Sequence, residues 1–305
     1  MVTIDYRGAL GDTICLTAFL PELSRKFNEK IIVNTHWPDV FRENDYVSDI
    51  ITLAPFGKEN ALAKKLKSNS LIRFLIDNTR KQLLIRKSSE NYLYIDQDYI
   101  FHNRHRHFMY SLADQLDLSF TTQIPNIQLS NSEITDIEQV IEDKKNPFIV
   151  LSPFAGWKSR LWEKSEFLKI ADWLRKNKYK VLEVGGPDDE YQGLGENYVG
   201  KLGLREVFAL IKKSKLYIGV DSGLYHAAVA LQTPSVVIYG PVLAPLRKHA
   251  KYSYPVQSNE ACIGCSHFLD IGEKNIEKEC PFDHRNCMRR IKASDVIDKI
   301  NQVLY

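Results

Sequence analysis

The residues in this 305-residue chain best suited to chemistry fall in five short stretches. The longest is Lys215 to Pro241, KLYIGVDSGLYHAAVALQTPSVVIYGP. LYIGV reads as a buried strand, Asp221-Ser222-Gly223 as a tight turn, YHAAVAL as a helix and SVVIYG as a second strand. A polar turn at the carboxyl end of a parallel strand, opening into a helix, suits an anion, because backbone N–H groups and the helix dipole point at it. Ser222 can cap that helix, Gly223 lets a ligand approach the backbone, and His226 lies one turn further on. The same residues also describe an ordinary strand-to-helix connection. The second stretch, RGALGDT, sets Gly8 and Gly11 around Asp12, which either caps the next helix or offers a carboxylate. The third, SPFAGWKSRLW, places Ser152, Lys158 and Arg160 in a loop after a strand, and the fourth, GGPDDEYQ, is a turn carrying Asp188 and Glu190. The fifth holds Cys262, Cys265, Cys280 and Cys287: C-x2-C, fourteen residues, then C-x6-C. In a reducing compartment this favours a thiolate metal site over disulfides. The first pair suits a metal knuckle, the second gap is long, and His267 and His284 are alternative ligands; four reduced, metal-free thiols are the competing reading.

The elements that must position these residues alternate strand and helix. VTIDY (2–6) is a first strand; Ile14, Ala18, Phe19 and Leu23 then follow helical spacing, with Cys15 in the same apolar set and Pro21 kinking the helix or starting a later one. KIIVNT and SDIITLA are strands, Lys58–Lys67 an exposed helix, LIRFLID and NYLYID further strands on either side of RKQLLIRK, and 102–118 a helix with a basic opening of Arg104, His105, Arg106 and His107. A polar helix over Ser132–Asp143 leads into DKKNP, a linker. FIVLSP, SEFLKIADWLRKN, KVLEVGG and LREVFALIKKS then restart the alternation. The pattern predicts an α/β protein with two parallel sheets, residues 1–144 and 145–305, and a ligand between them. The composition, 44% hydrophobic and 26% charged, supports a large core. A net charge of +3 is too small to point to nucleic acid and suits an anionic small molecule. No run approaches the roughly 20 apolar residues of a membrane span, and the first residues enter a strand directly, so a cytoplasmic location without a leader or transmembrane segment is expected.

Taken together, RGALGDTICLTAFLPEL, SPFAGWKSRLWEKSEFLKIADWL and VDSGLYHAAVALQTPSVVIYGP resemble the heptosyltransferase-type glycosyltransferases of family 9, and the tail ending CMRRI fits too. The resemblance implies a GT-B architecture: two Rossmann-like domains across a cleft, acceptor side N-terminal and donor side C-terminal. It implies an inverting, metal-independent transfer of a sugar from a nucleotide-sugar, ADP-heptose being typical, to a glycan or a protein serine or threonine. It makes Asp12 the general base, with Gly8 and Gly11 keeping the acceptor-side loop thin. It assigns Ser152, Lys158, Arg160, Asp188, Asp221, Ser222, Gly223 and His226 to the donor, with Asp188 on the ribose and Ser222-Gly223 at the diphosphate. The family usually has a lysine two residues before the tryptophan of the middle block; here Arg160 precedes Trp162, so Arg160 or Lys158 takes the diphosphate. No catalytic cofactor is implied. Some relatives hold iron on cysteines in the tail region, so structural iron or zinc on 262–287 both stay open, as do self-association and peripheral contact with a membrane. The readings from other classes are a non-catalytic nucleotide- or sugar-binding module and a metal-stapled assembly protein.

Overall fold

The computed structural model describes residues 2–53, 91–96, 103–119, 124–141, 146–268 and 280–305. The expected helix at Lys58–Lys67, the strand LIRFLID, the stretch RKQLLIRK and most of the linker at 142–145 lie outside the described residues. Among the described residues the strands form two sheets, parallel throughout. The first contains β1 (Val2–Tyr6), β2 (Ile31–Thr35), β3 (Val47–Thr52) and β4 (Asn91–Tyr94) in the order β3-β2-β1-β4. The second contains β5 (Phe148–Ser152), β6 (Lys180–Glu183), β7 (Glu196–Asn197), β8 (Leu216–Val220), β9 (Ser235–Tyr239) and β10 (Ser253–Gln257) in the order β10-β9-β8-β5-β6-β7.

β1, β5, β8 and β9 are buried at every position; β5, β8 and β9 accordingly read as near-continuous apolar runs, whereas β1, VTIDY, places Thr3 and Asp5 between its apolar residues. The polar exception in β1, Asp5, is satisfied: Arg7 Nε and Nη2 each donate to it at 2.8 Å, and the Tyr92 hydroxyl donates at 2.6 Å. Chain order reverses direction between β5 and β8, and again between β1 and β4. In open parallel sheets such reversals leave a crevice beyond the strands' carboxyl ends. The loops that follow β1, β5 and β8 carry the Asp12 turn, the Ser152–Arg160 segment and the Asp221–Gly223 turn.

Pro21 marks a late start. α1 (Leu10–Leu16) runs into a 3₁₀ turn at Thr17–Phe19, and α2 (Leu20–Phe27) opens with Pro21 in its first turn, where a missing N–H costs nothing. The expected helix begins at 102, and of its basic opening the described residues 103–107 are not helical: α3 spans Phe108–Gln115, because the His107 ring caps it by accepting the Met109 N–H at 3.3 Å. α4 (Asn131–Val140) starts at a capping box in which the Glu133 N–H donates to Ser130 Oγ and the Ser130 N–H to Glu133. α5 (Lys164–Lys176) and α6 (Leu204–Lys213) cover the second sheet, α7 (Gly223–Ala230) follows β8, and α8 (Ala293–Leu304) closes the chain.

α4 is tied to the second sheet through Arg205, which opens α6. Its Nε and Nη2 each lie 2.6 Å from the Glu133 carboxylate, Nη1 donates to the Asp39 carbonyl at 3.0 Å and Nη2 to the Gln128 carbonyl at 2.9 Å. The Arg205 hydrogen bonds hold the Glu133 carboxyl at a pKa of about 2, against burial, which opposes the shift. A depressed carboxylate contributes stability that is complete above its ordinary pKa near 4.5 and is lost as pH falls through about 2. Arg205→Ala is therefore expected to destabilise the fold by roughly 1.5–3 kcal/mol. The Tm gap between the unmodified protein and Glu133→Gln, followed by thermal unfolding, should be widest above pH 4.5 and close toward pH 2.

Candidate active site

Two helix N-termini meet at the carboxyl ends of the sheets. A Cβ on Gly11 of α1 would lie 2.7 Å from His226 Cδ2 and 3.4 Å from Gly223 Cα, and a Cβ on Gly223 would meet the Leu10 side chain at 3.0–3.1 Å. Both glycines are needed for this approach. Gly8 has a different task. Its backbone sits on the Tyr6 ring, which a Cβ would strike, and its carbonyl accepts the Trp37 indole N–H at 3.0 Å.

Asp12, in the first turn of α1, is partly exposed at this meeting point, 3.4 Å from Arg247 Nη1. Arg247 belongs to the helical turn Ala244–Arg247 after β9, and its guanidinium lies over the Phe108 ring at 4.6 Å. Asp221, the residue after β8, has its side chain only 2% exposed and lies 3.2 Å from Nη1 of Arg160. Arg160 also donates to the Asp221 carbonyl at 3.3 Å and stacks on the Trp157 face at 3.9 Å. A guanidinium held between an aromatic face and a carboxylate has few orientations left, so it is ready for an oxyanion without reorganising. Of the two cations in the loop, Arg160 is thus built into the site, whereas Lys158, two residues earlier in the same 3₁₀ turn, is exposed.

Ser222 occupies the N-cap position of α7 but makes no side-chain cap bond; its hydroxyl lies 3.5 Å from the Tyr217 hydroxyl. Burial pushes Tyr217 up to about 12, so it stays protonated, and it bonds the Ser152 hydroxyl as well. Ser152, Tyr217 and Ser222 form a hydroxyl row along the ends of β5 and β8. Asp188 and Glu190 are exposed on the loop beyond β6. The adjacent Asp189 braces that loop by accepting the Gly186 N–H at 2.7 Å, and buried Glu183 accepts the N–H groups of Gln192 and Leu194 at 2.6 and 2.8 Å.

His226 is buried. Its Nε2 faces Asp221 Oδ1 at 3.8 Å, while Nδ1 faces away from the cleft, 2.8 Å from His249 Nε2 and 3.5 Å from Cys15 Sγ. Burial first, then the charges of Arg247 and Arg160, pushes its pKa well down; burial and His226 do the same to His249, so both rings are neutral. Sequence reasoning missed Arg247, His249 and Trp157. Only the run of basic residues after Gly240-Pro241 hinted at the first two, since their partners lie over two hundred residues away in α1.

The tail folds against the same end of the second sheet. Cys287 lies beside Gly240, where an added Cβ would sit 3.4 Å from its sulfur, and the Ser266 hydroxyl donates to the Pro241 carbonyl at 2.7 Å. All four tail cysteines are free thiols. Burial, then the charges of Cys262, Cys265 and Cys280, pushes Cys287 up to about 12, so the four sulfurs are near enough to repel as thiolates.

Among solved structures, a family 9 glycosyltransferase from Veillonella parvula matches with a TM-score of 0.67 at 18% identity, covering 99% of this chain and 96% of that one. E. coli ADP-heptose lipopolysaccharide heptosyltransferase II matches at 0.66 and 17% identity over 100% and 98%. The iron-containing dodecameric glycosyltransferase TibC of enterotoxigenic E. coli matches at 0.70 and 15% over 99% and 75%. These likenesses carry the fold, which is the GT-B arrangement of two parallel sheets. In sequence, lipopolysaccharide heptosyltransferase 3 of Escherichia coli is 30% identical over 105 residues, 30% of this chain and 31% of its own length. Lipooligosaccharide heptosyltransferase 2 of Campylobacter jejuni is 26% identical over 171 residues, half of each chain. The chain thus spans about a third to a half of the length of these relatives. The family model for glycosyltransferase family 9 (heptosyltransferase) matches residues 103–283, the span that contains Arg160, Asp221, Ser222 and Arg247, and with that match the chain belongs to glycosyltransferase family 9.

Proposed function

We propose that this chain is an inverting glycosyltransferase that moves a sugar, heptose from ADP-heptose in the first instance, onto a hydroxyl of a glycan or protein. The observation that carries the reading is the opposition across the cleft of a carboxylate on a thin glycine turn, Asp12, and a caged guanidinium beside a helix N-terminus, Arg160 with Ser222 and Gly223. Family membership and the heptosyltransferase relatives support the donor class.

In this reading Asp12 takes the proton of the acceptor hydroxyl as its oxygen attacks the anomeric carbon from the face opposite the leaving diphosphate. Arg247 holds the Asp12 carboxylate by its Oδ1. Charge builds on the departing diphosphate, where Arg160, the Ser152 and Ser222 hydroxyls and the N–H groups opening α7 receive it. Asp221 fixes Arg160, and His226 sits behind Asp221 rather than on the phosphate. Lys158 is close enough in the chain to add a second, mobile cation, and Asp188 is assigned to the ribose. No step needs a metal. The boundary near residue 144 divides an acceptor half from a donor half in this scheme.

The tail cysteines are assigned a structural iron or zinc. Four cysteines gathered in one short tail fit a thiophilic cation, and the iron-containing TibC shares the fold. TibC is also dodecameric, which makes self-association of this chain worth measuring. Among the described residues no helix is long and apolar enough to cross a membrane.

The direct test is a panel of nucleotide-sugars assayed for binding and for release of the nucleoside diphosphate; if no activated sugar binds, the reading fails. Asp12→Asn should lower turnover by roughly 100- to 10,000-fold with donor affinity kept, and full turnover would remove the assigned base. Arg160→Met should do two separable things. It strands the buried Asp221 carboxylate, costing about 3–5 kcal/mol of stability, which adding Asp221→Asn recovers in large part. It also weakens ADP binding in calorimetric titration, and Asp221→Asn does not restore that.

A further inference from the structure

Behind Asp221 lies a buried cluster that the reaction above leaves unused. Cys15 comes from α1, His226 from α7, and His249 from the segment between the Ala244–Arg247 turn and β10. Cys15 Sγ is 3.5 Å from His226 Nδ1 and 3.9 Å from His249 Nε2, and the two nitrogens are 2.8 Å apart. One ligand atom from each lies within 4.8 Å of the other two. We propose that Cys15, His226 and His249 form a binding site for a zinc-type divalent cation, which pins the first sheet's α1 to the second sheet's α7 beneath the reaction cleft. The site is separate from the tail cysteines and does not touch the donor.

Geometry is the first support. Zinc bonds of about 2.3 Å to sulfur and about 2.0 Å to nitrogen, at tetrahedral angles, set S···N separations near 3.5 Å and N···N near 3.3 Å. The observed S···N separations of 3.5 and 3.9 Å match and exceed the first value, and the N···N separation of 2.8 Å is shorter than the second, so side-chain shifts of up to about half an ångström complete the set. One thiolate with two imidazoles also selects for zinc over magnesium or calcium, which take oxygen ligands.

Asp221 provides the second support. Neither of its buried carboxylate oxygens makes a hydrogen bond among the described residues, and Oδ1 lies 3.8 Å from His226 Nε2. A cation on Nδ1 obliges the His226 proton to sit on Nε2, aimed at Asp221. That is the carboxylate–histidine–metal relay that orients and strengthens metal ligands. Without the cation one ring must donate its Nδ1 or Nε2 proton to the other across 2.8 Å, and the Nε2 proton is available to Asp221 in only one of the tautomer pairs.

Local charge is the third. Arg247 is offset by Asp12 and Arg160 by Asp221, so an arriving dication meets a balanced background and gains the Cys15 thiolate.

The test uses the full chain. A form with Cys262, Cys265, Cys280 and Cys287 all changed to Ser is loaded with Zn²⁺, dialysed and assayed for metal by mass spectrometry, alongside the same form carrying Cys15→Ala or His249→Gln. One equivalent should remain in the first and be lost from the other two. Co²⁺ loading should give the visible bands of a tetrahedral thiolate site in the first form alone, and a chelator should lower its Tm and leave those of the other two unchanged. No bound equivalent in the first form, or equal metal in all three, overturns the site. Should the tail-substituted form not fold, Cys15→Ala and His249→Gln are compared with the unmodified chain. A loss of one equivalent supports the site and unchanged metal content overturns it.

Discussion

The close approach of α1 to α7 is the constraint on which the rest of this molecule depends. Each helix follows a fully buried strand of a different sheet, and each begins at a turn containing a glycine that the other helix crowds. A methyl group at Gly11 or Gly223 would press on His226 or Leu10, so the two carboxyl-end surfaces could not close to their present separation. Because interiors are packed like crystals, such a contact transmits a few tenths of an ångström directly to the groups around it. Those groups are Asp12 on one side and Asp221, Ser222 and His226 on the other.

Charge balance is the second layer. The cleft collects Arg160, Arg247, Asp12 and Asp221 in surroundings where an unpaired charge is costly. Each cation lies beside a carboxylate; Asp221 is enclosed, while Asp12 and Arg247 stay partly exposed. Arg160 is bound to the Asp221 backbone as well as its carboxylate, and Asp12 is 27% exposed. Trp157 and Phe108 fix the two guanidinium groups from their faces, so the order of the site comes from packing as much as from ion pairs.

Much of the scaffold was legible from local pattern. Near-continuous apolar runs marked β5, β8 and β9, since strands covered on both faces have no polar side to betray them, and Val2, Ile4 and Tyr6 marked β1. Pro21 signalled a helix start because its effect acts within one turn, whereas the Ser130–Glu133 capping box that opens α4 went unread. The basic run before Phe108 misled for the same local reason. Residues of good helical propensity stay out of the helix when a side chain, His107, takes the first N–H groups. The edge strand β10 and the closing helix α8 were passed over, the former because Pro255 interrupts a run that an edge position tolerates.

By itself the sequence determined the strand–turn–helix units, the glycines at their turns, and the family resemblance carried by RGALGDT, the Lys158–Trp162 block and DSGLYH. Only the tertiary structure decided between Arg160 and Lys158 as the caged cation, set His226 between Asp221 and His249, and brought Arg247 to Asp12 and His249 to Cys15. The reason is range. Turn chemistry and periodicity are set by neighbours a few residues apart, whereas each of these pairings depends on where packing of two separate sheets leaves a side chain, and no local rule encodes that distance.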